Sequence, residues 1–364
     1  MSNKILFIGS FKLAENGHYG GVYFASTTLR DGLIKEGYQI VEMDTTLKNI
    51  AQTSVYKRLP DIIIRQFKFL FTIIINIRAK YIFVFLSGGS SYVDKFFPIL
   101  LAMLLRKQVI IFPRSGHLIK HFNKKKFNFF IERVFKIANR VVCQSSFWQD
   151  YFTSKNITKN KLLVIENWVD DLKFKESTSL DYPKFNGINR ETFKIVFVSR
   201  IEKAKGVDDI IALAQQLKNK LDFSIFVYGA GSYQNEFVKS IKSNQMDDVI
   251  HFQGWLDKEK MIKTINNHHL AIFPSQTEGY PNSLLDYIFA KIPIIASDIP
   301  MVKAIGKSNM YYYENNNAVE MADLVEVISS DYDTAIIKSK NLFDRKAIEN
   351  TLDTGVRKIM TILQ

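Results

Sequence analysis

The chain has 364 residues, of which 47% are hydrophobic and 23% charged. This length suffices for two domains, and this composition excludes disorder or low complexity as the main character of the chain. A single cysteine, Cys143, excludes an internal disulfide framework and any cysteine-rich metal site. The formal net charge is +13, and residues 1–180 hold 27 Lys and Arg against 13 Asp and Glu. The excess positive charge therefore lies in the first half, which indicates that this half meets an anionic surface or substrate.

Short apolar, β-branched runs alternate with helical patterns along both halves of the chain. In the first half the predicted strands are 5–9, 39–43, 81–86, 108–112, 140–143 and 162–165, and the predicted helices are 21–36, 61–77, 94–105, 122–138 and 145–153. Residues 173–191 are polar and carry Pro183 and Gly187, so they are predicted as a linker. In the second half the predicted strands are 194–198, 223–228, 249–252, 270–273 and 292–296, and the predicted helices are 207–219, 233–243, 258–267, 283–290 and 317–329.

Strands that are apolar on both faces and separated by helices are typical of parallel sheets covered by helices. The sequence therefore predicts an α/β fold with two Rossmann-like domains, residues 1–172 and 192–342, whose sheets face a cleft. A C-terminal helix at about 343–364 is expected to pack back on the first domain. The apolar runs at 69–77 and 96–105 are about half of the ~20 residues that a membrane-spanning helix needs. No membrane-spanning or export segment is expected.

The segment 276–286 is the strongest candidate site. It follows a predicted strand and enters a helix, with Pro281 suited to the first helical turn. The backbone amides at the start of this helix belong to Asn282, Ser283 and Leu284. With the positive end of the helix dipole they form an anion site suited to a diphosphate. Glu278 and Asp286 can reach different parts of one elongated ligand, although an ordinary capped helix with surface acids explains the segment equally well on its own.

A second cluster favours the ligand interpretation. Arg200 and Lys205 lie between a strand end and a helix start, where ligands of parallel sheets bind. Arg can hold phosphate oxygens with two hydrogen bonds, and Lys adds a point charge. Solvated surface cations are the alternative, which is weakened because both loops open on the same sheet edge.

Together these residues resemble the retaining glycosyltransferases of family 4, which have the GT-B fold. The Arg and Lys that the family carries after the first strand of its C-terminal domain match Arg200 and Lys205. Its two Glu residues, separated by seven positions, match Glu278 and, one methylene shorter, Asp286. The other similar segments are Gly20-Gly21, Asn167-Trp168-Val169-Asp170, Gly229-Ala230-Gly231, Phe252-Gln253-Gly254-Trp255 and 290–298.

The resemblance implies a role for each matched residue. Arg200 and Lys205 would neutralise the diphosphate as it leaves the sugar. Glu278 would hydrogen-bond the donor sugar, and Asp286 the ribose. The further donor-binding positions that it implies are Gly20, Gly21, Asn282, Ser283, Leu284, Gly229 and Gly254.

The histidines and one acidic motif complete the candidates. The resemblance implies that His117 touches the donor sugar, with a structural role as the alternative. His268 and His269 precede a buried strand and are predicted to be structural. Asp331-Tyr332-Asp333 has the Asp-x-Asp form of a metal–diphosphate site, but it lies between helical segments and is predicted to start a helix. No metal ion and no cofactor are therefore expected.

The basic first half also carries aromatic residues. Residues 121–140 place lysines beside aromatics on an amphipathic helix, and Phe67, Phe69 and Phe71 beside Arg65 and Lys68 repeat the pattern. Such helices suit the headgroup level of an anionic bilayer, although a helix packed on its sheet with a solvated lysine edge is the simpler alternative. Nucleic acid is not expected as a partner, because no nucleic-acid-binding motif accompanies the charge.

The sequence and the resemblance together predict a metal-independent glycosyltransferase at the inner face of the cell membrane, and the resemblance implies that it retains the anomeric configuration. It would move a sugar from a UDP- or GDP-sugar to a lipid-linked saccharide acceptor in cell-surface polysaccharide biosynthesis. Two other classes stay open. A nicotinamide dehydrogenase is disfavoured because Gly9-Ser10-Phe11 lacks the glycine-rich turn, whereas a non-catalytic nucleotide-sugar-binding or scaffold protein is harder to exclude.

Overall fold

The computed structural model describes residues 3–13, 21–46, 55–116, 118–122, 125–187 and 191–364. The chain divides into two compact units. The first consists of Met1–Asn167 with Leu352–Gln364, and the second of Trp168–Thr351. The chain therefore passes between the units at 167/168 and at 351/352. The sequence analysis placed the corresponding domain ends at 172 and 342.

The first unit is built on a parallel six-stranded sheet. Its strands are β1 (Lys4–Gly9), β2 (Gln39–Asp44), β3 (Tyr81–Leu86), β4 (Gln108–Pro113), β5 (Arg140–Cys143) and β6 (Leu162–Val164), in the order β2-β1-β3-β4-β5-β6. Every residue of β3 is buried, as expected for a strand covered by helices on both faces. The predicted strand positions are confirmed.

Helices connect these strands. They are α1 (Gly21–Lys35), α2 (Val55–Ile75), α3 (Gly89–Leu104), α4 (Leu118–Phe122), α5 (Lys125–Ile137) and α6 (Ser146–Ser154). No helix in the described part of the chain combines the length and the apolar character needed to cross a bilayer.

The second unit contains another parallel sheet. Its strands are β7 (Phe193–Val198), β8 (Phe223–Tyr228), β9 (Ile250–Gly254), β10 (Leu270–Phe273), β11 (Ile294–Ser297) and β12 (Tyr311–Tyr313), in the order β12-β11-β10-β7-β8-β9. Its helices are α7 (Asp171–Ser179), α8 (Val207–Leu217), α9 (Gln234–Ser243), α10 (Met261–Asn266), α11 (Asn282–Phe289), α12 (Pro300–Gly306), α13 (Ala318–Ser330) and α14 (Tyr332–Glu349). This strand order reverses direction between β7 and β10, as in the doubly wound nucleotide-binding fold.

Helix α7 corrects the prediction of a linker over 173–191. The Asp170 side chain caps the helix by accepting a hydrogen bond from the Lys173 amide, at 2.9 Å. Phe174 packs against Phe289 of α11, with ring centroids 6.2 Å apart. A polar, weakly amphipathic segment is thus helical because its start is capped and one side has a partner.

The end of the chain forms two helices rather than one. α14 ends at Glu349, and α15 (Leu352–Leu363) begins after a break at Asn350 and Thr351. In the first unit α15 packs on α1, where a Cβ at Gly32 would lie 2.6 Å from the Val356 side chain. The predicted helix start at the acidic pair is confirmed, since the Asp331 side chain accepts a hydrogen bond from the Thr334 amide at the start of α14.

Candidate functional site

The candidate site lies where the strand order of the second sheet reverses, between β7 and β10. β7 and β10 are hydrogen-bonded neighbours, with Leu270 opposite Ile195 and Ala271 opposite Val196. The loop 199–206 follows β7, and the loop 274–281 follows β10. Ligands of doubly wound sheets bind beyond the strand ends at this reversal, so both loops lie at the position where a ligand is expected.

An ion pair joins these two loops. The Lys205 ammonium lies 2.5 Å from Oε1 of Glu278, and the side chains are 14% and 9% exposed. The Gln276 amide also donates a hydrogen bond to the Ala204 carbonyl, at 3.0 Å. Two of the predicted site residues are thus brought into direct contact on a fixed backbone.

Gly206 explains why the loops can approach so closely. Its φ is +70°, in the left-handed region, and a Cβ there would lie 2.0 Å from the Pro274 carbonyl oxygen. No side chain fits this space, so only glycine allows the first loop to end against the second.

The turn after β8 packs against the first loop in the same way. A Cβ on Gly229 would lie 1.8 Å from the Ser199 carbonyl oxygen, and the φ of Gly229 is +147°. The Gly229 amide donates to the Gly254 carbonyl at 2.6 Å, and the Ile201 amide donates to the Ala230 carbonyl at 3.1 Å. The predicted positions Gly229 and Gly254 are therefore adjacent, and Gly229 borders the loop that carries Lys205.

Arg200 is placed differently from Lys205. Its guanidinium pairs with Glu202 at 2.7 Å, and its side chain is 64% exposed. It shares the loop with Lys205, but the structure gives it a carboxylate partner within that loop. Its predicted contact with a diphosphate stays a prediction.

Helix α11 begins beside this ion pair, because Glu278 lies only a few residues before it. Pro281 caps the helix without a side-chain hydrogen bond, and the first turn carries no acidic residue. The amides at its amino end belong to Asn282, Ser283 and Leu284. A helix start is positively polarised, and the anion site at these amides stays a prediction.

A buried tyrosine connects α11 to the end of β7. The Val198 amide donates to the Tyr287 hydroxyl at 2.7 Å, and this hydroxyl donates to the Val198 carbonyl at 3.3 Å. Burial raises the pKa of the phenol, so it stays protonated and can make both bonds. Tyr287 was not predicted as a site residue, and its place within an apolar run gives no sign of this role.

Asp286 has a partner that the sequence did not predict. Its Oδ1 pairs with the ammonium of Lys173 on α7, and both residues are buried. The Lys173 ammonium also lies 3.6 Å from the sulfur of Met261. The predicted ribose contact of Asp286 stays a prediction, and Lys173 joins the site as the residue that holds this carboxylate.

The remaining candidates fall into two groups. His117 and Gly20 lie outside the described residues, and Gly21 is the exposed first residue of α1. The two buried histidines hydrogen-bond to backbone, as a structural role requires. The Lys194 amide donates to Nδ1 of His269 at 3.0 Å, and His268 Nδ1 lies 2.8 Å from the Thr264 carbonyl oxygen. Among the described residues, no three His, Cys, Asp or Glu side chains are grouped as ligands for a metal ion.

The second unit, which carries the candidate site, is similar to known proteins. The family model described as "Glycosyl transferases group 1" matches residues 179–348. The chain is 27% identical over 172 residues to the poly(ribitol-phosphate) alpha-N-acetylglucosaminyltransferase of Staphylococcus aureus, which covers 45% of this chain and 34% of that protein. It is 27% identical over 186 residues to the alpha-galactosylglucosyldiacylglycerol synthase of Streptococcus pneumoniae, covering 48% of this chain and 49% of that protein. The matches thus span half or less of these curated relatives.

A solved structure of similar fold covers nearly the whole chain. Anabaena Alr3699/HepE, solved in complex with UDP and glucose, has a TM-score of 0.72 at 14% sequence identity, over 99% of this chain and 98% of that one. The expected fold class is therefore confirmed, with two parallel sheets in two Rossmann-like units. The chain therefore has the GT-B type of α/β fold, and its residues 179–348 are similar to the glycosyl transferases group 1 family.

Proposed function

We propose that this chain transfers a sugar from a UDP- or GDP-sugar to a saccharide acceptor in cell-surface polysaccharide biosynthesis, with retention of configuration. The observation that carries the proposal is the contact between Lys205 and Glu278 beside the start of α11. It supports the proposal because a cation beside positively polarised amides suits a leaving diphosphate, and a neighbouring carboxylate suits a hydrogen bond from a sugar hydroxyl.

The residues divide the work of the reaction. Lys205, Arg200 and the α11 amides stabilise the negative charge that develops on the diphosphate as its oxygen separates from the anomeric carbon. Glu278 accepts a hydrogen bond from a donor-sugar hydroxyl and fixes the sugar's orientation. The acceptor oxygen bonds to the same face of the anomeric carbon, and its proton passes to the departing diphosphate. Because protein cations balance the diphosphate charge, the proposed reaction needs no metal ion or cofactor.

We further propose that the acceptor is lipid-linked and that the protein works peripherally at the inner face of the cell membrane. The support is the charge distribution, since residues 1–180 hold all of the excess positive charge. A basic surface attracts anionic lipid headgroups, which would bring the enzyme to an acceptor held in the bilayer.

The test begins with donor binding. The unfolding temperature is measured with and without UDP, GDP, ADP or NAD. A ligand at 100 times its dissociation constant stabilises the folded state by about 2.7 kcal/mol. Stabilisation by UDP or GDP is expected, and a preference for NAD would contradict the proposal. Radiolabelled sugar should then pass from the matching donor to a lipid fraction, and Glu278→Ala should abolish this transfer without unfolding the protein.

A non-catalytic nucleotide-sugar-binding protein is the second candidate. The observation that favours it is the pairing of Asp286 with Lys173, which occupies a carboxylate expected to bind the ribose. Donor binding without any transfer or donor hydrolysis would select this candidate over the enzyme.

A further inference from the structure

Large apolar side chains are exposed on two neighbouring helices of the first unit. They lie on α2 and α3, and we call this surface the α2–α3 face. Its exposed members are Ile63, Ile64, Phe67, Phe71, Ile74 and Ile75 of α2 with Val93, Phe97 and Leu104 of α3. Single exposed apolar residues are ordinary on protein surfaces, whereas a contiguous patch of large ones marks an interaction site.

Helical geometry shows that the α2 residues form one stripe. At 3.6 residues per turn, the six exposed residues fall within an arc of about 120°. Phe67 and Phe71 are 70% and 62% exposed, whereas Phe69 and Ile73 on the other side are buried. Helices normally turn their apolar stripe to the core, so α2 is unusual in carrying a second one towards solvent.

Polar contacts fix α2 in this orientation. Arg65 pairs with Asp94 of α3 at 2.8 Å, and the Gln66 amide nitrogen donates to the same carboxylate at 2.9 Å. Just beyond α2, the buried Lys107 ammonium donates to the carbonyls of Asn76, Ile77 and Ala79 at 2.9, 3.0 and 2.7 Å. These contacts hold α2 against α3 on the side opposite its exposed apolar stripe, which is left outward.

The segment that carries the α2–α3 face also carries the charge. Residues 55–140 contain 17 Lys and Arg against three Asp and Glu, a net of +14, so the rest of the chain sums to −1. Exposed cations flank the face at Lys68, Arg78, Lys80 and Arg106. Since β3 and β4 are parallel neighbours, the ends of α2 and α3 that precede them lie at one sheet edge, which gathers the last three of these cations.

We propose that the α2–α3 face inserts among the lipid chains of an anionic bilayer while the flanking cations bind its headgroups. Apolar residues beside Lys and Arg are the combination that surface-lying amphipathic helices use. A second copy is disfavoured as the occupant, because a symmetric contact would bring two strongly positive segments together. The inference deepens the proposed function by naming the surface through which the enzyme would meet a lipid-linked acceptor.

The first experiment is flotation of the full chain with vesicles of phosphatidylcholine alone or mixed with phosphatidylglycerol. Wild type should float with the anionic vesicles, and Phe67→Ser with Phe71→Ser should lower the bound fraction at least about tenfold. The matched control is Ile337→Ser, because Ile337 is 58% exposed on the second unit and should leave binding unchanged. The proposal would be overturned if the double variant Phe67→Ser, Phe71→Ser floated as well as the wild type. It would also be overturned if Ile337→Ser lowered flotation as much as the double variant does.

A second measurement does not depend on loss of binding. The only cysteine, Cys143, is buried, and burial raises the pKa of its thiol to about 12, so an added surface cysteine can be labelled selectively. An environment-sensitive fluorophore on Phe67→Cys should shift to the blue with anionic vesicles, and one on Ile337→Cys should not. Absence of the Phe67→Cys shift would overturn insertion at this face. Self-association of the wild type without vesicle binding, measured by light scattering, would assign the face to a second copy instead.

The outcome can be separated from the proposed function. Donor stabilisation by UDP or GDP and donor hydrolysis in vesicle-free buffer test the transferase site alone, and Phe67→Ser with Phe71→Ser should leave both unchanged. Failure of flotation with intact donor turnover would reject the membrane surface, whereas failure of donor turnover with intact flotation would reject the site.

Discussion

Lys205 and Glu278 stand 73 positions apart in the chain, yet their charged groups meet at 2.5 Å. Each residue comes from a loop that follows a different strand, and the two strands are neighbours at the reversal of the sheet order. The pair is shielded from solvent, so each charge depends on the other in the free protein. A diphosphate bound to Lys205 would therefore contact the ammonium that also holds the Glu278 carboxylate.

The first prediction concerns this pair. Lys205→Met and Glu278→Gln should each lower kcat at least about 10²-fold, because each removes a group that acts on the reacting donor. Lys205→Met should also lower the free energy of unfolding by about 3 kcal/mol, since it leaves a buried carboxylate without a partner. Combining both changes should restore stability but not activity. Urea unfolding and initial rates measure the two effects.

The control for this cycle is a surface pair. Lys220 and Glu326 lie 2.7 Å apart with side chains 44% and 45% exposed, so Lys220→Met should change stability far less than Lys205→Met and leave kcat unchanged. Recovery of activity in the double Lys205→Met, Glu278→Gln variant would contradict the assigned roles.

The second prediction concerns loop packing. Gly229→Ala should cost well over 3 kcal/mol or prevent folding, because its Cβ would overlap the Ser199 carbonyl oxygen. Gly37→Ala is the control, since Gly37 has φ +84° but no atom within 4 Å of the Cβ position. It should cost only the backbone strain, about 1 kcal/mol. Equal losses in chemical denaturation would show that φ, rather than close packing, determines the need for glycine at 229.

The third prediction concerns Lys173 and Asp286. Lys173→Met leaves the buried Asp286 carboxylate unpaired and should lower the free energy of unfolding by about 3–5 kcal/mol. Adding Asp286→Leu should recover at least half of the loss, because an apolar pair of similar volume replaces the charges. Donor affinity measured on the recovered double variant then tests the ribose contact directly. Unchanged affinity would remove Asp286 from the donor site.

The fourth prediction concerns pH. Burial lowers the pKa of His269 to about 4, with Lys194 and His268 lowering it further and Glu191 opposing. The unfolded chain therefore takes up this proton near pH 6.5 and the folded chain only near pH 4, so stability falls as pH drops through this window. The loss attributable to His269 should be about 2 kcal/mol between pH 7 and pH 5.

Urea unfolding at several pH values measures this slope. His269→Asn keeps an acceptor for the Lys194 amide but cannot take up a proton, so its stability should vary less between pH 7 and pH 5 than that of the wild type. An identical slope in both proteins would assign the pH dependence to other groups.

Local patterns in the sequence were sufficient for the sheets and for much of the candidate site. Alternating apolar runs and helical patterns gave all of the strands except β12, which is only three residues long. The loops carrying Lys205 and Glu278 could be placed because parallel strands end at a shared edge. This inference needs only the order of the strands, without any side-chain detail.

Long-range pairing could not be predicted in the same way. Lys173 and Asp286 are 113 positions apart, and nothing in either segment points to the other. Helix α7 was missed because its stability comes from Asp170 and from packing on α11 rather than from its own composition. The pairing of Arg200 with Glu202 was likewise not predicted, although exposure of Arg200 had been the alternative to a ligand contact.

Tyr287 connects the loop that carries Lys205 with the segment that carries Glu278. Its hydroxyl bonds both the amide and the carbonyl of Val198, which lies immediately before the loop with Lys205. Its own helix, α11, begins just after the turn that follows Glu278. Exchange of either loop with that of a homologous enzyme would therefore transplant only half of a coupled unit. If the proposed function holds, engineering of donor preference should exchange residues 198–206 and 274–287 together and retain Tyr287.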